Sequence, residues 1–356
     1  MQHLNGYAFR SGFLLAASLF APSLLAQSKW TPTGSMHTAR AFHTATALPS
    51  GTVLVTGGGT SSAELFNPNA GVWTNANSMS RLRAGHTATL LPDGTVLIAG
   101  GGTETAISDS SAEIYDPITG LWSSTGSMAS ARRDHTATLL SNGLVLVAGG
   151  FGQNQAILAT AELYDPKTKS WTSTGSLRVG RMNHTATLLE GGDVLIAGGD
   201  GAFPSAEVYN WKSRKWNNVD PMNVGRTRHT ATLLPNGHVI VSGGFMNGSR
   251  TKSVEIFNPK KRSWTRAGDL NEARSEHGAV LLSTGLVLVA GGYGVSVLSS
   301  AELYDPATGV WTITRSLNAG RGDHTLTSLG NGFVLAAGGF VMIDDTLNLT
   351  ATSEVY

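Results

Sequence analysis

Short apolar runs alternate with Thr-rich segments and Gly-containing turns along the chain, and this pattern predicts β-strands. In residues 135–140 polar and apolar residues alternate, as is typical of a strand with one buried face. The dipeptide Asn142-Gly143 follows, and such a turn between apolar segments is a strong hairpin signal because it needs positive φ angles. The continuous apolar run 144–148 then predicts a second strand that is buried on both faces.

Two further strands complete this stretch of sequence. Residues 161–164 predict a third strand, Asp165-Pro166 predicts a turn, and a fourth strand is expected around Trp171. Four short antiparallel strands joined in this way are the content of one propeller blade.

The same unit occurs seven times with fixed spacing between its polar and aromatic residues. An Arg stands three residues before a His, at Arg40, Arg83, Arg132, Arg181, Arg226, Arg274 and Arg321. Each His stands fourteen residues before a Gly-Gly pair, and these residues are His43, His86, His135, His184, His229, His277 and His324. A Glu follows, at Glu64, Glu113, Glu162, Glu207, Glu255, Glu302 and Glu354. Only the distance from the Gly pair to this Glu varies, so length variation is confined to one set of loops.

The two ends of the repeated region complement each other. The last unit ends at Glu354-Val355-Tyr356 without a Trp strand, and Trp30 precedes the first Arg without a unit of its own. We therefore predict that the segment around Trp30 supplies the outer strand of the seventh unit. With no strong helical pattern after the leader, the sequence predicts an all-β, seven-bladed propeller of four-stranded antiparallel blades, closed by its N-terminal strand.

The first 26 residues have the pattern of a secretory signal peptide. Arg10 precedes an interrupted apolar run without acidic residues, and this run is too short to predict a membrane span. We expect cleavage after Ala26, a secreted or periplasmic location, and a single propeller domain over residues 27–356.

Composition narrows the classes of partner. Removing Arg10 from the 25 basic residues leaves 24, against 24 acidic residues, and no Lys/Arg cluster is present that could follow a phosphate backbone. The sequence therefore argues against nucleic-acid binding. The chain has no Cys, so its stability cannot depend on disulfides. We expect a monomer.

The repeat resembles the kelch family over residues 30–356. The family's Gly-Gly, Tyr and Trp are matched here by Gly149-Gly150, Tyr164 and Trp171 and by their equivalents, with Phe replacing Tyr in two units. The resemblance implies a propeller. Copper-radical oxidases related to galactose oxidase share the kelch propeller, but that family needs a Tyr–Cys crosslink. This chain has no Cys, which excludes copper-radical oxidase activity.

The residues that recur in every unit are expected to be structural. Arg132 and Glu162 fall at the same end of their blade, so we predict an ion pair between them and between their equivalents, with the glycines leaving room for the guanidinium. His135 and its equivalents are separated by whole blades, which argues against a metal site. Trp171 and its equivalents are expected to pack between blades.

Function is expected at the end of the propeller that carries the variable loops. Two sets of positions there do not repeat: the residue just before each His and the residue just after each Gly pair. They mix aromatic, acidic and amide side chains, which suit a sugar or a peptide. The candidate ligand-binding residues are Phe42, Asp134, Phe151, Asn183, Arg228, Phe245, Glu276, Tyr293, Asp323 and Phe340. The alternative, that these are ordinary solvated residues, stays open.

Three functions are compatible with this sequence. The preferred hypothesis is a non-catalytic module that binds a protein or glycan ligand through the loop face and needs no cofactor. The second is a sugar-modifying enzyme similar to the kelch sialic-acid mutarotases, with Glu276, Asp323 and Arg228 as its site residues. The third is an adhesion or scaffold unit of a larger protein. Sequence motifs of serine hydrolases, zinc proteases and EF-hands are absent.

Overall fold

The computed structural model describes residues 29–102, 108–199 and 204–356. The predicted signal peptide lies outside the described residues. Seven four-stranded antiparallel sheets form the described chain, and each is one blade. The first strand of every blade contacts the first strands of the two neighbouring blades, so these seven strands form a closed ring around a central channel. The predicted seven-bladed, all-β propeller is confirmed.

Each blade follows the strand order of the repeat, from the channel outwards. Blade 1 contains His43–Ala47, Val53–Gly57, Ala63–Asn67 and Val72–Ala76. Blade 2 contains Thr87–Leu90, Val96–Ala99, Ala112–Asp116 and Leu121–Ser124. Blade 3 contains Thr136–Leu139, Val145–Ala148, Ala161–Asp165 and Ser170–Ser173. Blade 4 contains Thr185–Leu188, Val194–Ala197, Ala206–Asn210 and Lys215–Asn218.

The remaining blades have the same strand order, and the last strand of blade 7 comes from the N-terminal segment. Blade 5 contains Thr230–Leu233, Val239–Ser242, Val254–Asn258 and Ser263–Arg266. Blade 6 contains Gly278–Leu281, Val287–Ala290, Ala301–Asp305 and Val310–Thr314. Blade 7 contains Thr325–Ser328, Val334–Ala337, Ser353–Val355 and Thr31–Pro32. Outside the blade sheets lie the 3₁₀ turn Gln153–Gln155 and two hairpins, Phe245–Met246 with Ser249–Arg250 and Phe340–Ile343 with Thr346–Leu349.

Blade 7 is closed by the two ends of the described chain. Thr31 pairs with Val355 and Pro32 pairs with Glu354 in an antiparallel register. Next to this short strand, the Trp30 ring lies 5.0 Å from the Tyr356 ring, which repeats the Tyr–Trp contact of the other blades. The predicted closure by the N-terminal strand is confirmed.

The hydrophobic core lies between blades, which explains the continuous apolar second strands. In blade 3, Val145 and Val147 pack in the cluster shared with blade 2. Their neighbours Leu146 and Ala148 pack with Val194 of blade 4. Successive side chains of a strand point to opposite faces, so a strand between two blades needs apolar residues at every position. Burial of each such Val or Leu side chain stabilises the folded protein by about 1.5–3 kcal/mol relative to an exposed side chain.

The two ends of the propeller differ in construction. We call the end with the tight hairpin turns the turn face. The opposite end, the loop face, carries the Gly-Gly-to-Glu loops together with the segments that lead into each Arg-x-x-His. Among the described residues, no helix is long and apolar enough to cross a membrane.

Candidate functional site

The buried Arg of each blade fixes the base of the loop face. Arg132 donates one guanidinium hydrogen bond to the carbonyl of Gly149 at 2.6 Å and another to the Glu162 carboxylate at 2.8 Å. Glu162 in turn accepts the backbone N–H groups of Ala129 and Ser130, which belong to the segment leading into the blade. All seven blades contain this Arg–Glu pair, with N···O distances of 2.7–3.0 Å. The pair therefore ties the lead-in segment to the third strand.

A hydroxyl group also accepts a hydrogen bond from each guanidinium, and this contact was not predicted from the sequence. Arg132 donates to Thr160 Oγ1 at 3.1 Å, and Ser or Thr occupies the position two residues before the Glu in every unit. This recurring Ser or Thr could have been recognised in the sequence as a further partner of the Arg. Burial lowers the pKa of Arg132, and its hydrogen bond to Glu162 opposes this effect.

The first glycine of each pair leaves room for the next blade rather than for the guanidinium. A Cβ at Gly149 would lie 2.5 Å from the Arg181 carbonyl oxygen and 2.8 Å from the ring of His184, and φ at Gly149 is +66°. The N–H of Gly150 donates to that same Arg181 carbonyl at 2.8 Å. Contact with the next blade therefore requires glycine at Gly149, whereas a Cβ at Gly150 would lie 2.7 Å from the Arg133 carbonyl oxygen and 2.8 Å from His135 Cβ of its own blade.

The His residues link neighbouring blades around the channel. His184 Nε2 hydrogen-bonds Thr136 Oγ1 of the preceding blade at 2.9 Å. Equivalent bonds join six of the seven His to the Thr that follows the preceding blade's His. The seventh, His324, faces Gly278 at the Thr position and has no hydrogen-bond partner among the described residues. Burial, together with the charge of Arg132, holds the pKa of His135 well below its usual value, so this ring stays neutral.

The Tyr or Phe of each third strand packs on the Trp of the fourth. Trp171 lies 5.0 Å from Tyr164 and donates its indole N–H to the Gly126 carbonyl at 2.7 Å. Equivalent ring contacts occur in all seven blades at centroid distances of 4.9–5.1 Å.

The residue before each His adopts a left-handed backbone conformation and forms a collar at the loop-face end of the channel. We call these the mouth residues: Phe42, Gly85, Asp134, Asn183, Arg228, Glu276 and Asp323, with φ between 52° and 61°. From blade 2 to blade 7, each mouth residue donates its N–H to the carbonyl of the mouth residue in the preceding blade, at 2.8–3.2 Å. This chain of hydrogen bonds fixes the backbone of the collar and leaves its side chains free to differ.

Charged side chains from four blades converge at this mouth. Arg228 forms an ion pair with Glu276, and the Tyr293 hydroxyl donates a hydrogen bond to Asp323 Oδ2 at 3.0 Å. The charges of Asp134 and Arg228 act on Asp323 from across the collar. In the described ranges 29–102, 108–199 and 204–356, no three His, Asp or Glu side chains are placed to hold a metal ion.

Burial makes two of these carboxyl groups harder to ionise. The pKa of Asp323 is raised to about 7, first by burial and then by the charge of Glu276, while the Tyr293 hydrogen bond and Arg228 oppose the rise. Burial likewise raises the pKa of Asp134, against the charges of Arg133 and Arg228. Near neutral pH the mouth can therefore hold or release a proton at Asp323, and it can attract a cation or accept hydrogen bonds from hydroxyl groups.

The aromatic residues after the Gly pairs surround the mouth but do not form one platform. The guanidinium of Arg133 lies 5.0 Å from the centre of the Phe151 ring, and that of Arg250 lies 5.7 Å from the Phe245 ring. Phe340 contacts another candidate residue, because its ring lies 5.9 Å from the ring of Phe42. Neither cation–π partner was predicted from the sequence.

The candidate residues thus fall into four groups. Asp134, Arg228, Glu276, Tyr293 and Asp323 interact at the mouth. Phe42 and Phe340 contact each other beside it, whereas Phe151 and Phe245 contact separate Arg side chains. Asn183 belongs to the collar through its backbone. Asp200, which follows the fourth Gly pair, lies outside the described residues.

A concavity lies on the turn face, at the seam of the ring. This cavity of about 1030 Å³ borders the closing strand at Thr31 and Pro32, and Phe333 and Tyr356 also line it. Its walls are turns and outer strands of the blades that meet at the seam, and Lys29 is the one charged side chain among its described lining residues, in contrast to the converging charges of the mouth. We therefore keep the mouth on the loop face as the candidate site.

Comparison with known proteins identifies repeats of one kind along most of the chain. A family model described as the KLHDC2/KLHL20/DRC7 Kelch-repeats domain matches residues 134–339, and a Kelch motif model matches residues 83–129. None of the curated proteins compared matches the chain.

One similar solved structure is described as a novel fungal alcohol oxidase with catalytic diversity among the AA5 family, in complex with copper. It superposes with a TM-score of 0.78 at 18% identity and covers 92% of this chain and 76% of that chain. At this identity the likeness shows the fold alone.

Proposed function

Since the chain belongs to the kelch-repeat family, we propose that it is a secreted, non-catalytic module that binds a protein or glycan ligand through its loop face. Kelch propellers commonly act as protein-interaction modules. The observation that carries the proposal is the convergence of Asp134, Arg228, Glu276 and Asp323, from four blades, on one end of the channel.

The contrast between frame and mouth supports this function. The Arg–Glu pairs and the His positions are the same in every blade, as expected of residues that maintain the fold. The mouth residues share a backbone conformation and hydrogen-bonding pattern, yet they carry aromatic, acidic, basic and amide side chains. A collar whose geometry is fixed and whose side chains vary presents a particular pattern of groups to a ligand.

Oxidase chemistry of the kind named for the fungal copper protein does not form part of the proposal. In the copper-radical oxidases that this chain resembles, the radical site needs a Tyr–Cys crosslink, and this chain has no Cys.

Secretion forms part of the proposal and rests on residues 1–26. Arg10, the apolar run that follows it and Ala26 before Gln27 support export and cleavage. Expression in a bacterial host followed by N-terminal sequencing tests this directly. A mature protein that begins at Gln27 in the periplasm or medium supports it, and a cytoplasmic protein that retains Met1 contradicts it.

Ligand selection on matched variants tests the binding face. A glycan array and a displayed random-peptide library would be screened against the wild type and against Asp134→Asn/Arg228→Asn/Asp323→Asn. Asn is suitable because Asn183 already occupies a mouth position with φ of 52°. The control is Ile118→Ser, which changes a 93%-exposed side chain on the turn face.

We expect ligands selected on the wild type to lose at least about tenfold in affinity on the triple variant, as when central side chains of an interface are removed. The control should bind as the wild type does. Ligands that bind the triple variant unchanged, or that Ile118→Ser weakens, would contradict a site at the mouth.

One observation favours a second candidate function, the sugar-modifying reaction of the mutarotase kind. Asp323, whose pKa is raised to about 7, lies beside the Tyr293 hydroxyl and close to the Glu276–Arg228 pair. Such a group can donate and accept a proton near neutral pH. Exchange of free sialic acid anomers, followed by NMR, decides this: acceleration that Glu276→Gln abolishes would favour the enzyme, and unchanged exchange would favour the binding module.

A further inference from the structure

The longest described loop of the loop face folds into a hairpin that exposes apolar side chains. Phe340 pairs with Leu349 and Met342 pairs with Leu347, so these four side chains share one face of the hairpin. Met342, Leu347 and Leu349 are 46%, 52% and 47% exposed. Val341 points to the other side and is buried, which anchors the hairpin to the propeller.

This apolar surface continues to the mouth of the channel. Phe42 is 45% exposed, and its ring contacts that of Phe340. We call Phe42, Phe340, Met342, Leu347 and Leu349 together the apolar strip. A contiguous exposed apolar surface on a folded protein marks an interaction site more often than isolated exposed residues do.

Acidic groups lie at both ends of the apolar strip. Phe340 forms a β-bridge with Gly322, so Asp323 is the next residue along from that bridge. Asp344 and Asp345 form the exposed turn at the far end of the hairpin. The loop 340–352 contains no basic residue, and the Arg228 side chain that reaches towards Asp323 from blade 5 is paired with Glu276.

We propose that the apolar strip and Asp323 together bind an extended polypeptide segment in which Lys or Arg stands beside apolar side chains. This inference rests on the proposed function and names its partner. The apolar side chains of the segment lie along the strip, and its basic side chain enters the mouth. Charge complementarity favours a basic partner, because Asp323, Asp344 and Asp345 would repel an acidic peptide.

The chemistry of the strip favours a polypeptide over the other occupants. Met342, Leu347 and Leu349 offer no flat ring for stacking on a sugar, and the two rings of the strip, Phe42 and Phe340, pack edge to face on each other. The acidic turn Asp344-Asp345 at the tip opposes insertion into a membrane surface, which is itself usually anionic. The hairpin is also a two-stranded sheet separate from the blade sheets, and such edges can pair with an extended chain.

A displayed library of random twelve-residue peptides provides the probe. It would be selected in parallel on the mature wild type, on Met342→Ser/Leu347→Ser, on Asp323→Asn, and on the control Ile313→Ser/Val310→Ser. The control removes two exposed apolar side chains from the outer strand of blade 6, away from the strip. Thermal unfolding of each variant verifies that it is folded, and sedimentation velocity measures its oligomeric state.

We expect the wild type and the control to enrich the same peptides, with Lys or Arg within two positions of Leu, Ile, Met, Val or Phe. Synthetic copies of these peptides should bind Met342→Ser/Leu347→Ser and Asp323→Asn about tenfold more weakly, as expected when each variant removes one central part of an interface. Replacing the peptide's basic residue by Gln should weaken wild-type binding but change little on Asp323→Asn.

Other outcomes overturn the inference. Enrichment of acidic peptides, equal affinity for the strip variant, a wild-type dimer that the strip variant loses, or binding to anionic vesicles through Leu347 would each do so. If the selected peptides or glycans depend instead on Phe151 or Arg228 and ignore the strip, this inference fails while the proposed function stands. If no variant of the loop face affects any selected ligand, the proposed function fails as well.

Discussion

Replacing Asp323 with Asn should stabilise the protein at and above neutral pH. Burial beside Glu276 raises the pKa of this carboxyl group from 3.8 to about 7, so its ionised form is disfavoured in the folded protein. Asn resembles the neutral carboxylic acid in shape, accepts the Tyr293 hydrogen bond through its amide oxygen, and tolerates the φ of 52°. The substitution therefore removes the electrostatic cost and keeps the collar.

The direction of the pH dependence follows from proton binding. A group whose folded pKa is raised contributes stability that is fully present below its unfolded pKa and is lost as the pH rises through the folded pKa. For Asp323 this window runs from about pH 4 to about pH 7. Each pH unit in it corresponds to about 1.4 kcal/mol, which gives an upper limit of about 4 kcal/mol. Screening by water at the open mouth reduces the expected gain for the Asn variant to about 1–2 kcal/mol.

Urea unfolding at pH 4, 5, 6, 7 and 8 measures this effect. The free energy of unfolding of Asp323→Asn should equal that of the wild type near pH 4 and exceed it increasingly up to pH 7. Asp116→Asn on the turn face is the matched control with the opposite sign. Hydrogen bonds from Ile118 and Thr119 lower the pKa of Asp116, so that variant should be the less stable one at neutral pH. A difference for Asp323→Asn that is independent of pH, or a loss of stability at pH 8, would refute the reasoning.

Three further predictions concern the frame that holds the mouth in place. Gly278→Thr alone should destabilise by about 1–3 kcal/mol because its Cβ would overlap Leu326, whereas Gly278→Thr/Leu326→Ala removes the two closest contacts, with Leu326 Cγ and Cδ1, leaves Cβ at 2.9 Å, and gives His324 a Thr partner; a double-mutant cycle in urea without favourable coupling would contradict this. Arg132→Ala or Glu162→Ala should each cost about 3–5 kcal/mol in the same assay because the partner charge is left buried, and a loss below about 1 kcal/mol would make the pair an ordinary surface contact. Trp30→Ala removes the ring that packs on Tyr356 at the seam and should cost about 3–5 kcal/mol, measured as a lower thermal midpoint; an unchanged midpoint would show that the ring closes without this contact.

The blades and their ion pairs could be predicted from the sequence because every unit repeats the same residues in the same order. The Arg, the Glu and the Gly pair recur at spacings that place them at one end of each sheet, so their proximity follows from strand direction alone. The closure of the ring could likewise be predicted, because Trp30 precedes the first unit and the unit that contains Tyr356 lacks a Trp strand. The role of the glycines was only partly predicted, because the blade-to-blade approach of His184 to Gly149 depends on packing between units.

The mouth was less accessible to sequence reasoning. Its residues take φ near 55°, but Phe42, Arg228 and Glu276 give no sign of a left-handed conformation. The other four mouth residues, Gly85, Asp134, Asn183 and Asp323, are of types in which that conformation is more common. The convergence of Arg228 with Glu276 and Asp323 depends on the width of the channel, which the repeat spacing does not encode. The hairpin after Phe340 could have been found, since its apolar strands flank the turn formed by Asp344 and Asp345.

The most direct test of the account is hydrogen–deuterium exchange of the mature protein with and without a ligand selected on the wild type. If the loop face is the binding surface, bound ligand should slow exchange in segments 40–43, 132–135, 226–229, 274–277, 321–324 and 340–350, and should leave the turn-face hairpins unchanged. Slower exchange confined to the seam around Thr31, Phe333 and Tyr356, with no change at the mouth, would contradict the account.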